Sequence, residues 1–571
     1  MSEASGTSNV SVFLQEACLQ HRFIRSKDVS NIMERPERLR AVNIGLSAAI
    51  SRLEAIFPKN TTGPSDLSDV ADDLTAALDK LKLTPSGTST QLQVPVKLIK
   101  SGAKFQLLSN KAVKFVHGDI ERDVYLENLI KWSKESREKI VQDGTEIPQG
   151  LSQGDLYLCP ESVDAIQGAL GTTCEAVDSV LSVEGNKHAF VAVRPPGHHC
   201  GENTPSGFCF VNNVAVAAAH AHLTHGIKRV VIFDIDLHHG NGTQSIVWQI
   251  NEETYRETLE VEQGSQTAKL GPQIFYGSLH DVLSYPCEDG KAELVQAASV
   301  SIHGPHGQYV ENIHLQTYKS NEEFWEKLYK PRYSQLLQKA ENFIQETGGA
   351  GNDVLVFISA GFDANEHEYD SMQRHNRRVP ASFYYQFARD ACDFADRVAQ
   401  GRLISVLEGG YSDRALISGA MAHLCGLTLI DKDLKDVEEW WDVEKLKALE
   451  QATKKRRGGR PSLSAIPLEP WLQRTLEIFS TIDSSPPPQK PVMTPSSITL
   501  RDRRKPEGTT TSSRKLSKTK TKAPPIKDES LGENSDSPLS DTTSETRSPE
   551  LGGTKKLPRV ILKLGPSPPQ T

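Results

Sequence analysis

Apolar residues gather along this chain in four short, nearly unbroken runs: AFVAV (189–193), VVIFDID (230–236), VLVFISA (354–360) and LISVL (403–407). Runs of this length, rich in Val and Ile, read as strands covered on both faces rather than as helices. Between them the period changes. SVDAIQGALGTTCEAVDSVL (162–181) leads into the first run and VAVAAAHAHLTHG (214–226) into the second, both with helical spacing, and helical sequence again separates the last two. Strands alternating with helices predict an α/β fold: one large domain with a mainly parallel sheet and helices on both faces. In all four runs the polar residues stand at the carboxyl end, as RPPGHH, DIDLHHGNG, GFDA and EGGY. Open α/β sheets bind ligands there, so four separate segments are expected to converge on one site.

The same patterning divides the chain. Residues 60–90 turn polar around one amphipathic stretch, LTAALDKLKL, and read as a surface insertion. After Phe479 there is no Phe, Tyr or Trp, and Pro, Ser, Thr and Lys dominate. Such sequence cannot bury enough apolar surface to offset the entropy of ordering it. The 571 residues are therefore expected to comprise a folded domain over 10–480 and a disordered tail over 481–571. KKLPRVILKLG is an apolar island in that tail, either a docking motif or a chance cluster.

Composition changes this picture little. A formal net charge of −8 excludes nucleic-acid binding through bulk charge. Lys454, Lys455, Arg456, Arg457 and Arg460 form a basic cluster that reads as a nuclear import signal or as a solvated linker; direct DNA contact is not expected. The eight cysteines contain no CxxC pair and fit buried free thiols in a reducing compartment. The N-terminal residues lack the apolar core of a signal peptide, and no apolar stretch is long enough to span a bilayer, so a nuclear or cytosolic protein without a membrane partner is expected.

Asp234, Asp236 and His238 alternate at the end of the second run, which in a strand would put all three on one face. Either they cap the loop that follows or they bind a metal, and three other polar strand ends beside them favour the metal. Oxygen and imidazole donors suit zinc, which in catalytic sites takes three protein ligands and leaves a position for water. Asp363 is the best candidate for the third ligand. His198 and His199 follow Pro195, Pro196 and Gly197, which can turn both imidazoles into one cavity. Two carboxylates leave a metal less electron-poor than three imidazoles would, so a general base is needed to assist water. Tyr411, after Gly409 and Gly410, could donate to an oxyanion or simply pack at a strand end.

VAVRPPGHH, SGFCFVNNVAVAA, VIFDIDLHHGNGTQ, GSLH, SAGFDA and LEGGY resemble, segment by segment, the class II branch of the zinc-dependent histone deacetylases. NIMERPERLRAV is similar to that family's N-terminal signature, and the intervals around TQSIVWQINEETYRETLEVEQG are similar to a fungal Hos-type subgroup. The resemblance implies an arginase/deacetylase-like fold, one zinc ion per chain and removal of acetyl groups from N6-acetyl-lysine in proteins. It implies that Asp236, His238 and Asp363 hold zinc, that His198 and His199 are the acid–base pair, and that Tyr411 polarises the acetyl carbonyl. Asp234 would bond His198 and share a structural potassium ion with backbone oxygens of Ser278 and Leu279.

Asn241 stands where class I members carry Asp, which would leave His199 without a carboxylate partner and make it the expected base. Gly207, Phe208 and Tyr285 match the walls of the acetyl-lysine tunnel, with Tyr285 departing from the more usual Phe. Tyr411 argues for a working enzyme, because a branch of class II with His there is poorly active on acetyl-lysine. The partners implied are acetylated histone tails or other acetylated proteins, with a homodimer or corepressor complex left open and the nucleus, and also the cytoplasm, as location. A small acetylated amine as substrate and a non-catalytic scaffold are the competing readings.

Overall fold

The computed structural model describes residues 10–56, 96–118, 124–265, 270–428, 434–454 and 468–483. All belong to one compact unit, Met1–Lys490. The polar insertion at 60–90, the basic cluster beyond Lys454, the tail after Asp483 and its apolar island lie outside the described residues.

The strands are β1 Val10–Gln15, β2 Val96–Ser101, β3 His188–Ala192, β4 Arg229–Asp234, β5 Gln273–His280, β6 Ser301–His303, β7 Tyr309–His314, β8 Val354–Ala360 and β9 Leu403–Leu407. They form one sheet in the order β2-β1-β3-β9-β8-β4-β5-β7-β6. Every pairing is parallel except that of β6 with β7. The four apolar runs are the four neighbouring central strands, β3-β9-β8-β4, and every residue of each is buried. At one edge β2 keeps Lys97 and Lys100 exposed, charges that discourage pairing with another chain.

Helices of twelve residues or more are α1 Glu37–Ile56, α2 Val124–Asp143, α3 Ser162–Leu181, α4 Asn213–His225, α5 Asn241–Glu262, α6 Gln335–Glu346, α7 Ala381–Val398, α8 Asp413–Leu427 and α9 Pro470–Ile482. α3 packs on β1, β3 and β9, α6 on β4, β5 and β7, and α7 on β8 and β9, while α8 is held between α1 and α7. α4 is bounded by its own sequence. Asn212 Oδ1 accepts the Ala215 N–H at 2.9 Å at the start, and Gly226 adopts the left-handed φ of 71° at the end. α9 ends at a buried Ile482. None of the described helices is long and apolar enough to cross a membrane.

A buried charge network ties the N-terminal segment to the carboxyl ends of the central strands. Glu34 receives Arg194 through two bonds of 2.7 and 2.6 Å, Arg38 at 3.0 Å and the Tyr157 hydroxyl at 2.8 Å. Arg194 also donates to the carbonyls of Cys18 (2.6 Å) and His21 (2.7 Å). Arg38 donates to the Glu408 carbonyl and, at 2.5 Å, to that of Gly410. Burial alone would raise the Glu34 pKa, but the Arg194 and Arg38 guanidiniums outweigh it and hold the carboxyl well below its ordinary range. A depressed folded pKa means that the stabilisation is complete above the unfolded value and fades as pH falls towards the folded one. Glu34→Gln leaves two guanidiniums uncompensated and is expected to cost about 3–5 kcal/mol. Urea unfolding at neutral pH measures this, and a loss within the error of extrapolation would show the network to be dispensable.

Candidate metal centre and acid–base pair

The loops after β3, β4, β8 and β9 bring the polar strand ends together. β4 stops at Asp234, and the chain then bends, so Asp236 and His238 do not share a strand face with it as strict alternation would require. Hydrogen bonds set their positions instead. The Asp236 N–H donates to Asp234 Oδ1 (3.2 Å), the His238 N–H to Asp236 Oδ1 (3.0 Å) and the Leu237 N–H to Asp363 Oδ1 (2.8 Å). Asp234 and Asp236 thus each order the residue two positions on, and Asp363 holds the same bend from the loop after β8.

Asp236, His238 and Asp363 are all buried and offer three ligand atoms within 4.8 Å of one another. His238 Nδ1 lies 3.2 Å from Asp236 Oδ1 and 3.0 Å from Asp363 Oδ2. One ring nitrogen carries at most one proton, yet here it faces two carboxylates. Among the described residues neither carboxylate pairs with a Lys or Arg. Burial would lower the His238 pKa, but hydrogen bonds and charge from Asp236 and Asp363 raise it to about 10. A divalent cation neutralises this arrangement better than one proton does, and the oxygen and imidazole donors suit such an ion. The backbone leaves room for the carboxylates only where side chains are missing: a Cβ on Gly409 would sit 2.3 Å from Asp363 Oδ2 and 2.5 Å from Asp236 Oδ2.

His198 and His199 occupy a turn that brings their ring centroids to 4.1 Å. Their environments differ. His198 Nδ1 lies 3.1 Å from Asp234 Oδ2, and burial, which would lower its pKa, is outweighed by Asp236 and Asp234, which raise it to about 10. His199 Nδ1 lies 2.8 Å from Asn241 Oδ1, an amide oxygen without charge, and burial, aided by His198 and His238, lowers its pKa well below the usual value. An amide oxygen only accepts, so Nδ1 carries the proton and Nε2 is left with its lone pair.

Tyr411 is buried, and burial first, then the Asp363 charge, keeps its phenol protonated well above the usual range. Its N–H donates to Glu368 Oε2 at 2.7 Å, and the Arg38 guanidinium lies 5.1 Å from its ring centroid. Phe208 approaches the Tyr411 ring at 5.8 Å, while Tyr285 meets His199 edge to face at 4.9 Å and hydrogen-bonds Ser206. Both are half-buried, as residues at a pocket mouth would be. Gly207, at φ 48°, passes so close to His199 that a Cβ would sit 2.4 Å from its ring. Ser278 is the register partner of Asp234 on β5, and Leu279 follows it. Asp234 Oδ2 also accepts the Tyr276 hydroxyl at 3.1 Å.

Two carboxylates that the motifs alone did not single out support this group. Glu408 is fully buried, accepts the N–H groups of Gly197 (2.7 Å) and His198 (3.2 Å), and has its pKa raised by burial to about 7. Glu368 holds Tyr411 and Ser412 by their N–H groups. The signal for Glu408 lay within LEGGY, as an acidic residue directly after a wholly buried strand.

A family model described as "Histone deacetylase domain" matches residues 76–427, more than half of the chain. Histone deacetylase HOS3 of Saccharomyces cerevisiae is 35% identical over 463 residues, covering 78% of this chain and 59% of that protein. Histone deacetylase 6 of Caenorhabditis elegans is 28% identical over 318 residues, covering 56% and 28%. A histone deacetylase-like amidohydrolase of Pseudomonas aeruginosa is 30% identical over 288 residues, covering 49% and 60%. The chain thus spans less than two thirds of the length of each of these relatives.

Gly409→Ala is expected to displace both carboxylates and weaken metal binding at this centre in the purified full chain by about tenfold or more, as loss of ligand positioning commonly does, with a corresponding loss of up to one equivalent of metal after dialysis. Elemental analysis of the dialysed protein, with circular dichroism as a control for folding, measures this. Undiminished metal in a folded variant would remove Asp236 and Asp363 from the ligand set.

Proposed function

Because the chain belongs to the histone deacetylase family, we propose that it is a zinc-dependent hydrolase that removes acetyl groups from N6-acetyl-lysine in proteins, histone tails among them. The observation that carries this reading is the meeting of the Asp236, His238 and Asp363 ligand atoms with the paired imidazoles of His198 and His199. Zinc held by those three residues supplies Lewis acidity toward water and an amide carbonyl.

The remaining chemistry belongs to the chain. Phe208 and Tyr285 flank the apolar lysine stem, one beside Tyr411 and the other beside His199. His199 Nε2, kept neutral by burial and by the neighbouring His198 and His238, takes a proton from the attacking water. Water oxygen bonds to the acetyl carbon, and the Tyr411 phenol donates to the carbonyl oxygen as negative charge develops. His198, whose Nδ1 lies 3.1 Å from the Asp234 carboxylate, is favoured in its protonated form by that carboxylate and adds positive charge beside the reacting carbonyl. The carbon–nitrogen bond then breaks, the lysine nitrogen receives the proton held by the His pair, and acetate and free lysine leave. The same reading gives Asp234, with backbone oxygens of Ser278 and Leu279, a structural potassium ion.

The folded domain is assigned to 10–480, with the polar insertion at 60–90 and the tail as accessory segments, and acetylated histones in the nucleus as the partner. Acetate release from an acetylated histone H4 tail peptide by the purified full chain tests the substrate. Strong preference for an N-acetylpolyamine would overturn the protein substrate, and binding of the peptide without acetate release would favour a scaffold.

Two variants test the roles. Tyr411→Phe is expected to lower kcat by about 10²–10³-fold, as removal of an oxyanion donor does, with zinc content unchanged; retained turnover would dismiss the phenol. Asn241→Asp places a carboxylate beside His199, favours its protonated form and raises its pKa. The acid limb of the kcat/KM profile is then expected to move to higher pH by about one unit or more. A shift to lower pH, or none, would exclude His199 as the base.

A further inference from the structure

α4 leads away from the catalytic centre. It starts beside it, where the Asn212 side-chain amide donates to the Cys200 carbonyl at 3.2 Å, and ends thirteen residues later in the sequence HAHLTH. At 1.5 Å per residue its two ends are about 20 Å apart. At the far end, His220 Nε2 and His225 Nε2 lie 2.8 and 2.7 Å from one oxygen, Asp178 Oδ1 of α3. The three donor atoms all fall within 4.8 Å of one another, the same span as in the buried cluster.

The chemistry of this group suits a cation. Two imidazole nitrogens from one helix end and a carboxylate oxygen from its neighbour make a tripod, and imidazole selects zinc and similar transition metals over calcium or magnesium. Four-coordinate zinc with bonds of about 2.0–2.1 Å sets its ligand atoms about 3.3 Å apart, so the two His–Asp spacings need open by only about half an ångström. Thr224 Oγ1, 3.2 Å from His220 Nδ1, occupies the other ring nitrogen and fixes the ring, which is what an outer hydrogen bond does for a ligating histidine. The side chains of Asp178 and His225 are 51% and 28% exposed, leaving the fourth position open to water.

We propose that Asp178, His220 and His225 form a surface metal site, separate from the catalytic centre, that takes a divalent transition cation such as zinc and cross-links α3 to α4. The full chain is stripped with a chelator, dialysed against zinc and assayed for zinc per chain, beside His225→Ala and Asp178→Asn. Both variants are expected to hold one equivalent less than the parent, with acetate release unchanged. Asp178→Asn keeps the shape of the side chain and decides the matter if His225→Ala does not fold. A second readout is thermal unfolding: added nickel is expected to raise the Tm of the stripped parent more than that of either variant. Equal zinc content in parent and variants, or an equal thermal response, would overturn the site and leave the cluster as two hydrogen bonds between helices.

Discussion

Asp236 and Asp363 bury two carboxylates against a single imidazole nitrogen, and the rest of the structure can be understood as the means of holding them there. Each ion taken out of water costs several kcal/mol unless it is paired and hydrogen-bonded. Backbone N–H groups of His238, Leu237 and Gly409 supply part of the compensation, at 3.0, 2.8 and 2.7 Å. They come from the loops after β4 and β9, so the strand ends must arrive in register for the charges to be tolerated. A cation held there would complete what the backbone dipoles begin. The His198–His199 pair inherits its asymmetry from the same constraint, because His198 faces Asp234 and Asp236, whereas His199 is buried beside the neutral Asn241 amide and the His198 and His238 rings.

Around this centre lies a second tier of buried charge. Glu34 gathers Arg194 from the end of β3 and Arg38 from α1, and Arg38 in turn grips the carbonyls of Glu408 and Gly410 beside Tyr411. Glu408 reaches across to the N–H groups of Gly197 and His198. The segment before α1 is thereby coupled to both the histidine turn and the tyrosine loop. This gives a physical reason for a charged motif, ERPER, to lead into a helix in which Leu39, Ala41 and Val42 are buried.

The central sheet was legible because β3, β9, β8 and β4 are covered on both faces and so read as continuous apolar runs. The outer strands were not. β2 carries two Lys among its six residues at an edge, β6 has three residues, and β5 and β7 interrupt their apolar positions with Gly, Ser, Glu and Asn. Helices α3 and α4 occupy the stretches that read as helical, although α4 is buried on every side from Asn213 to Ala219. The site residues stood at strand ends, where the topology makes position informative. Glu34 and Arg194 escaped notice because 160 residues separate partners whose significance lies only in their contact.

The central claim is that the buried carboxylate pair is completed by a metal that makes the chain an amide hydrolase. The most direct measurement is acetate release from an acetyl-lysine peptide by the full chain stripped of metal, followed by titration with zinc. Activity absent in the stripped, folded protein and restored by zinc is the predicted result. Full turnover without metal, or none after zinc has been restored, would contradict the account.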